Sequence, residues 1–251
     1  MGRLDGKAAI VTGAARGLGR AIALKLAEEE AKLLIVTRGN LQGLEETKKL
    51  VQAKGGQVIS AKVDISSEKD TLEMADLAMK EFGRIDILVN NAAIGLFRKL
   101  FFEVSAEEWD GFMATNVRGP WQCIKAVFPQ MKKQGKGKIV NIVSDAFFTG
   151  SRDYVHYVVT KGAIIGLTRA VARDVGDYGI CINAVAPGFL ANEAGLAYMG
   201  GDISKYDVKP QCIKRVGVSE DVIGAVVFLA SDESDFISGQ TIVIDGGRVM
   251  H

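Results

Sequence analysis

The sequence predicts an α/β fold: a doubly wound parallel sheet of about seven strands with helices on both faces, in a single domain over residues 1–251. Three observations lead there. Short runs rich in valine and isoleucine recur along the chain, separated by amphipathic stretches of helical period. These runs are mostly apolar throughout instead of alternating, which suits strands covered on both faces. The first run closes on a glycine-rich turn, TGAARGLG at 12–19, between a strand and a helix. With nearly half its 251 residues hydrophobic, the chain can bury one large core.

KAAIVTG, residues 7–13, is the first strand, and residues 18–30 carry helical spacing. Gly13 permits the tight turn, Gly17 lets backbone approach a ligand, and Gly19 lets the helix pack close on the strand. The unpaired N–H groups at the helix start suit a pyrophosphate; a purely structural turn is the alternative. The next strand, KLLIVTRGN, ends at Thr37 and Arg38, where many dinucleotide sites place an acidic residue on the adenosine ribose. No carboxylate stands there. Arg38, helped by Arg16, can accept a 2′-phosphate through charge-assisted bonds, so NADP(H) is favoured over NAD(H). Otherwise both arginines are solvated surface residues.

A charged amphipathic helix over 41–54 precedes the strand QVISAKVD, which ends at Asp64. That carboxylate either accepts a hydrogen bond from an adenine amino group or caps the helix over 67–82. After the strand RIDILVNNAA, the small residues Asn91, Ala92 and Ala93 either let backbone pass close to a ribose or form a plain turn, and Asn90 can tie neighbouring loops. Residues 105–134 form a long helical pattern opening on SAEE, a capping-box signature. Asn116 lies inside it. Asparagine is poor in a helix interior, so it either faces solvent or does something specific, such as distorting the helix around a water. Trp121, Ile124 and Val127 suit core or subunit contact.

KIVNIVS ends at Ser144, and a helix over 155–176 carries Tyr157 and Lys161 four residues apart, on one face. A neighbouring ammonium favours a phenolate and brings tyrosine toward acid–base work near neutral pH, with Ser144 presenting its hydroxyl beside the phenol. Such a pair also occurs on ordinary exposed helix faces. ICINAVAPG is a buried strand broken by Pro187 and Gly188. Residues 189–216 lack a clean period and are expected to form a substrate lid. A helix over 219–230, the strand TIVIDGG and the tail RVMH complete the chain. Ser144, Asn91, Asp64 and Pro187 all fall at carboxyl ends of strands, where such sheets bind ligands.

Formal net charge is +1 with no basic stripe, which disfavours nucleic acid as a partner. Cys123, Cys181 and Cys212 are distant from one another and in no metal-like spacing, which suits a reducing compartment. The start MGRLDGKAAIVTG has no apolar signal region and no long uncharged span follows, so a cytoplasmic protein without membrane insertion is expected. His156 and His251 are too few for a histidine-based metal site.

TGAARGLG, the aspartate of VDIS, NNAA, Asn116, Ser144, Tyr157-x-x-x-Lys161 and Pro187-Gly188 together resemble the short-chain dehydrogenase/reductase family over nearly the whole chain. The resemblance implies a Rossmann-type domain in which Ser144 polarises the substrate carbonyl and Tyr157 passes the proton. Lys161 lowers the phenol pKa and holds the nicotinamide ribose, and Asn116 supports a water in the proton relay. It also implies that Gly13, Arg16, Gly17, Leu18, Gly19, Arg38, Asp64, Ile65, Asn91 and Ala92 contact the cofactor. Pro187, Gly188, Leu190 and Asn192 join Tyr157 and Lys161 around the same cofactor. Two positions depart from the family pattern: Ala93 replaces a usual glycine, and Asn192 stands where a threonine often contacts the nicotinamide amide.

Phe97, Asp145, Phe147, Phe148, Tyr154 and Phe189 are the expected substrate pocket. Their rings suggest a hydrophobic or ring-containing ketone or secondary alcohol, with ordinary packing as the alternative. A 3-oxoacyl-carrier reductase shares the same residues, and a non-catalytic dinucleotide-binding member is a further class. The family resemblance also implies a homotetramer built on the helices over 105–134 and 155–176, with the tail and strand 241–245 as a second contact.

Overall fold

A computed structural model describes residues 2–95 and 97–250 of the chain. His251, the end of the expected tail, lies outside the described residues. Seven strands alternate with helices: β1 (Ala8–Thr12), α1 (Gly17–Glu28), β2 (Lys32–Thr37), α2 (Leu41–Ala53), β3 (Val58–Lys62), α3 (Glu68–Phe82) and β4 (Ile87–Asn90) form the first half. The second half holds α4 (Ala106–Met113), α5 (Gly119–Gln134), β5 (Gly137–Ile142), α6 (Ala146–Thr149), α7 (Val155–Val175), β6 (Ile180–Pro187), α8 (Glu193–Tyr198), α9 (Ser219–Ala230) and β7 (Thr241–Ile244). The strands form one parallel sheet in the order β3-β2-β1-β4-β5-β6-β7. Strand order reverses between β1 and β4, and the crevice at their carboxyl ends is where a doubly wound sheet receives its ligand.

Each strand divides its side chains between two layers, because successive residues point to opposite faces. Ala9, Val11, Leu33, Ile35, Ile87 and Val89 face α1, α2 and α9, where Leu26, Leu44 and Val226 complete one core. Ile10, Leu34, Val36 and Leu88 face α3, α5 and α7, against Met74, Val127 and Met131. The central runs are mostly apolar because neither face meets water, while the edge strands β3 and β7 are only partly buried.

Local signals fix the helix starts. Asn40 caps α2 by accepting from the Gly43 N–H at 3.0 Å, and Ser67 caps α3 by accepting from the Asp70 N–H at 3.2 Å. Asp64 is therefore not the N-cap of α3. It accepts instead from the Ser66 N–H and hydroxyl, closing a turn just before that helix. The capping box at Ser105 and Glu108 forms as the sequence implied.

The long pattern over 105–134 is not one regular helix: a π-turn over Ala114–Arg118 separates α4 from α5. Pro120 lacks the N–H that an unbroken α-helix would donate to the Asn116 carbonyl, so the ladder is interrupted at that residue. The stretch 189–216 is also more structured than its lack of period suggested. It holds α8 and a 3-10 turn at Ile203–Lys205, and a Leu190–Gly217 bridge closes its base. Among the described residues no helix is long and apolar enough to cross a membrane.

At Gly19 the helix lies against the glycine turn: a Cβ there would collide with the Gly13 carbonyl oxygen and the Asn91 amide. Gly19→Ala is expected to cost about 1–3 kcal/mol of stability, read as a lowered midpoint in chemical denaturation.

Candidate active site

The glycine turn is clamped from both sides at the switch point. Gly13 has φ +69° and donates to the Val36 carbonyl at 2.8 Å, which fixes the turn to β2. On the β4 side, Thr12 Oγ1 accepts from the Asn91 and Ala92 N–H groups, each at 3.0 Å. Asn91 Nδ2 donates in return to the Thr12 and Gly13 carbonyls at 2.9 and 3.1 Å. A Cβ on Gly13 would meet Ala92 Cα at 2.7 Å, so only glycine lets the two loops lie this close.

The start of α1 already holds an anion. Gly17, at φ +55°, donates its N–H to Glu193 Oε2 at 2.8 Å, and Arg20 Nη1 approaches Glu193 Oε1 at 3.4 Å. A carboxylate on this N-terminus is a stand-in for the phosphate oxygens that such a helix end attracts, so the turn fits a pyrophosphate. At the end of β2, Arg38 is largely exposed with its guanidinium 4.0 Å from Asp64 Oδ2. Arg16 is exposed at the N-cap of α1.

Side chains expected at the cofactor are placed unequally. Leu18 packs against the first core, Leu190 is buried in it, and Ile65 is buried in the second against Gly119, so these three offer backbone to a ligand. Gly188 donates to the Ile244 carbonyl at 2.9 Å and holds the Pro187 turn to β7. Asn192 uses its side-chain oxygen to cap α8, accepting from the Ala194 and Gly195 N–H groups at 3.1 Å each. Only its Nδ2 is left for the amide contact inferred from the sequence.

Asn116 is buried inside the π-turn. Its Oδ1 accepts from the Ile94 N–H at 2.7 Å, and its Nδ2 donates to the Ile94 carbonyl at 3.1 Å and to Thr160 Oγ1 at 3.3 Å. Thr160 in turn donates to the Tyr157 carbonyl at 2.8 Å. Asn116 thus joins the loop after β4 to the first turn of α7 and does not face solvent.

Lys161 is buried, donates to the Ile142 carbonyl at 2.9 Å, and sits 5.3 Å from the centroid of the Tyr157 ring. The sequence pairing led us to expect a depressed phenol, and the protein groups alone give the opposite. Burial pushes the Tyr157 phenol up to about 12, only partly opposed by a hydrogen bond from Ser144, with the Asp145 charge pushing the same way as burial. Burial also pulls Lys161 down to about 8. The reason is physical: desolvation disfavours the charged form of each group.

Ser144 is buried at the end of β5. Its Oγ accepts from the Ala146 N–H at 3.2 Å and donates to Asp145 Oδ1 at 3.3 Å. Asp145 is buried too, and burial followed by the charge of Asp245 raises its carboxyl to about 6.

The aromatic residues expected to form one pocket separate into three groups. The Tyr154 hydroxyl contacts that of Tyr198 and accepts from Arg98 Nε at 3.0 Å. Phe189 stacks on Tyr206 with centroids 4.4 Å apart and lies 6.2 Å from Tyr198. Phe97 instead packs on Phe112 and His156, and Phe147 lies across Gly162 on α7, edge-on to Phe148. Phe148 packs with Val143 and Ile164. The short α6 and its left-handed end at Gly150 turn 147 and 148 onto α7. Tyr198, Tyr206, Arg98, Arg248 and Glu193 escaped sequence reasoning. All five lie in the aperiodic stretch, the loop after β4 or the tail, where no spacing reports a neighbour. Among the described residues no cluster of potential ligands could hold a metal.

A family model described as enoyl-(acyl carrier protein) reductase matches residues 13–248. The 3-oxoacyl-(acyl-carrier-protein) reductase FabG of Staphylococcus epidermidis is 37% identical over 244 residues, 97% of this chain and 99% of that protein. An uncharacterized oxidoreductase of Thermotoga maritima is 38% identical over 248 residues, 97% of each chain. The crystal structure of levodione reductase superposes with a TM-score of 0.92 at 31% identity, covering 98% of both chains. These matches span nearly the whole chain: the chain belongs to the short-chain dehydrogenase/reductase family, and is a nicotinamide-dependent oxidoreductase acting on a carbonyl or its alcohol.

Proposed function

We propose that this enzyme uses NADP(H) to reduce a hydrophobic, ring-bearing ketone, or to oxidise the corresponding secondary alcohol, in the cytoplasm. The observation that carries the reading is the set of Ser144, after β5, with Tyr157 and Lys161 on α7, beside a ring cluster of Tyr154, Phe189, Tyr198 and Tyr206 of which Tyr206 faces the Asp145 charge. Rings of this kind suit flat apolar substrates. When bound, the nicotinamide supplies or accepts the hydride. The chain does the rest. Ser144 holds the carbonyl oxygen by a hydrogen bond, the Tyr157 phenol gives that oxygen its proton, and Lys161 stabilises the phenolate that remains. Asn116, held open by the π-turn, keeps the loop after β4 against α7 and supports the water that returns a proton to Tyr157.

Arg38 and Arg16 support NADP(H): both are exposed at the end of β2 and the start of α1, and a 2′-phosphate there gains two guanidinium donors. Resemblance to the family further supports a homotetramer, and the exposed Trp121 on α5 and Val159 on α7 give its helical faces apolar surface to bury. A second reading, reduction of a 3-oxoacyl thioester on a carrier protein, is favoured by the FabG relatives. Initial rates with NADPH and NADH against aryl and cyclic ketones and acetoacetyl thioesters separate the two. Binding of cofactor without turnover on any of them would leave a non-catalytic member.

Three outcomes test the reading. Tyr157→Phe is expected to reduce kcat by at least about a hundredfold while leaving the Kd for NADPH within about threefold, measured by cofactor fluorescence; near-native turnover would reject the assignment. Arg38→Ala is expected to lower kcat/KM for NADPH by about tenfold or more and to spare NADH, whereas equal losses would place the 2′-phosphate elsewhere. Glu193→Gln removes the carboxylate that occupies the α1 N-terminus, so it is expected to tighten NADPH binding several-fold, read by titration calorimetry. Weaker binding in that variant would mean that Glu193 supports the cofactor.

A further inference from the structure

Asp145 stands next to the serine that polarises the carbonyl, and nothing in the mechanism above uses it. A serine hydroxyl has one proton and two lone pairs. In this structure the Ser144 proton goes to Asp145 Oδ1 at 3.3 Å, and one lone pair takes the Ala146 N–H at 3.2 Å. A substrate carbonyl needs that single proton as well, so two acceptors compete for one donor.

We propose that Asp145 is a positioning residue for Ser144: as a carboxylate it holds the serine proton, and as a neutral acid it releases that proton to the substrate carbonyl. The proposal rests on the reading of Ser144 as the donor to the carbonyl. Geometry restricts the alternatives. The Asp145 backbone N–H is fixed to the Pro187 carbonyl at 3.0 Å and its side chain is buried, so the carboxyl stays beside the serine. Oδ1 receives the serine, and no hydrogen bond from a described residue reaches Oδ2.

The groups around Asp145 bring its titration into the working range. Burial is the largest effect and raises its pKa, and the charge of Asp245 after β7 adds to it. Asp245 is itself held by the Gly247, Arg248 and Val249 N–H groups at 2.9, 3.1 and 2.8 Å. The guanidinium of Arg248, the Ser144 hydroxyl and the Ala146 N–H pull the other way, and the balance lies at about 6. Tyr206 and Tyr157 face the same carboxyl, and its charge pushes both phenols up. Both therefore remain protonated while Asp145 titrates. The sign follows: the neutral acid is present below about 6, so carbonyl reduction is faster on that side and falls as pH rises through it.

The test is the pH dependence of kcat/KM for ketone reduction at saturating NADPH, in the wild type and in Asp145→Asn. The wild type is expected to lose activity by up to about tenfold per unit above pH 6. Asp145→Asn, with no carboxylate to form, is expected to be flat over the same range and to exceed the wild type at about pH 8 by tenfold or more. Asp145→Glu, if folded, restores an ionisation. Identical profiles in the wild type and Asp145→Asn overturn the proposal while leaving the proposed function intact. Full activity in Tyr157→Phe, or no turnover on any carbonyl, overturns the proposed function instead. A second measurement needs neither turnover nor the Asn variant: carbon-13 NMR titration of the sequence-assigned Asp145 carboxyl in the full chain. Ser144→Ala removes a hydrogen bond donated to the carboxylate, so the Asp145 pKa is expected to rise in that variant. An unchanged value means that the serine does not serve the carboxyl, and ends the proposal.

Discussion

Thr12 and Asn91 tie the carboxyl ends of β1 and β4 together at the point where strand order reverses, and the rest of the site is placed relative to that knot. The threonine hydroxyl accepts two N–H groups from the loop after β4, and the asparagine amide returns two hydrogen bonds to the glycine turn. Backbone polar groups that would otherwise be buried unpaired are satisfied across the crevice. The price is tolerance: Gly13 and Gly19 are confined by the same contacts, because any Cβ would force the loops apart.

A second polar chain carries the knot toward α7. Asn90 Nδ2 donates to Asn141 Oδ1 at 2.9 Å, and Asn141 Nδ2 donates to Thr168 Oγ1 at 2.9 Å. All three residues are buried, Asn90 and Asn141 in the sheet and Thr168 on α7, so a shift between them would leave amides unsatisfied. This fixes α7 along its axis. The Lys161 bond to the Ile142 carbonyl and the Asn116 bond to Thr160 then set its first turns. Tyr157 and Lys161 thus gain their positions from buried asparagines and threonines.

Desolvation sets the chemistry of the cluster. Tyr157, Lys161 and Asp145 are all moved toward their neutral forms, the phenol and the carboxyl upward and the amine downward. In water, an ammonium beside a phenol would favour the phenolate and depress its pKa. The folded pocket removes the water from both partners. Acid–base balance in this site is consequently a property of the pocket as a whole, including Asp245 and Arg248 from the far end of the chain.

The seven parallel strands, the glycine turn and the helix starts at Ser67 and Ser105 were legible because each depends on residues within a few positions of one another. The serine, tyrosine, lysine and asparagine were legible as types in a spaced pattern. Their mutual distances were not, nor was the π-turn, although Pro120 carried its local cause. Tyr198, Tyr206, Arg248 and Glu193 reach the cleft only because the Leu190–Gly217 bridge and the Asp245 turn fold an aperiodic stretch and the tail over it. Sequence by itself determined the local conformations and the polarity of each face. Only tertiary structure decided which side chains share a buried pocket, since burial and the pairing of distant polar groups depend on contacts that no local spacing encodes.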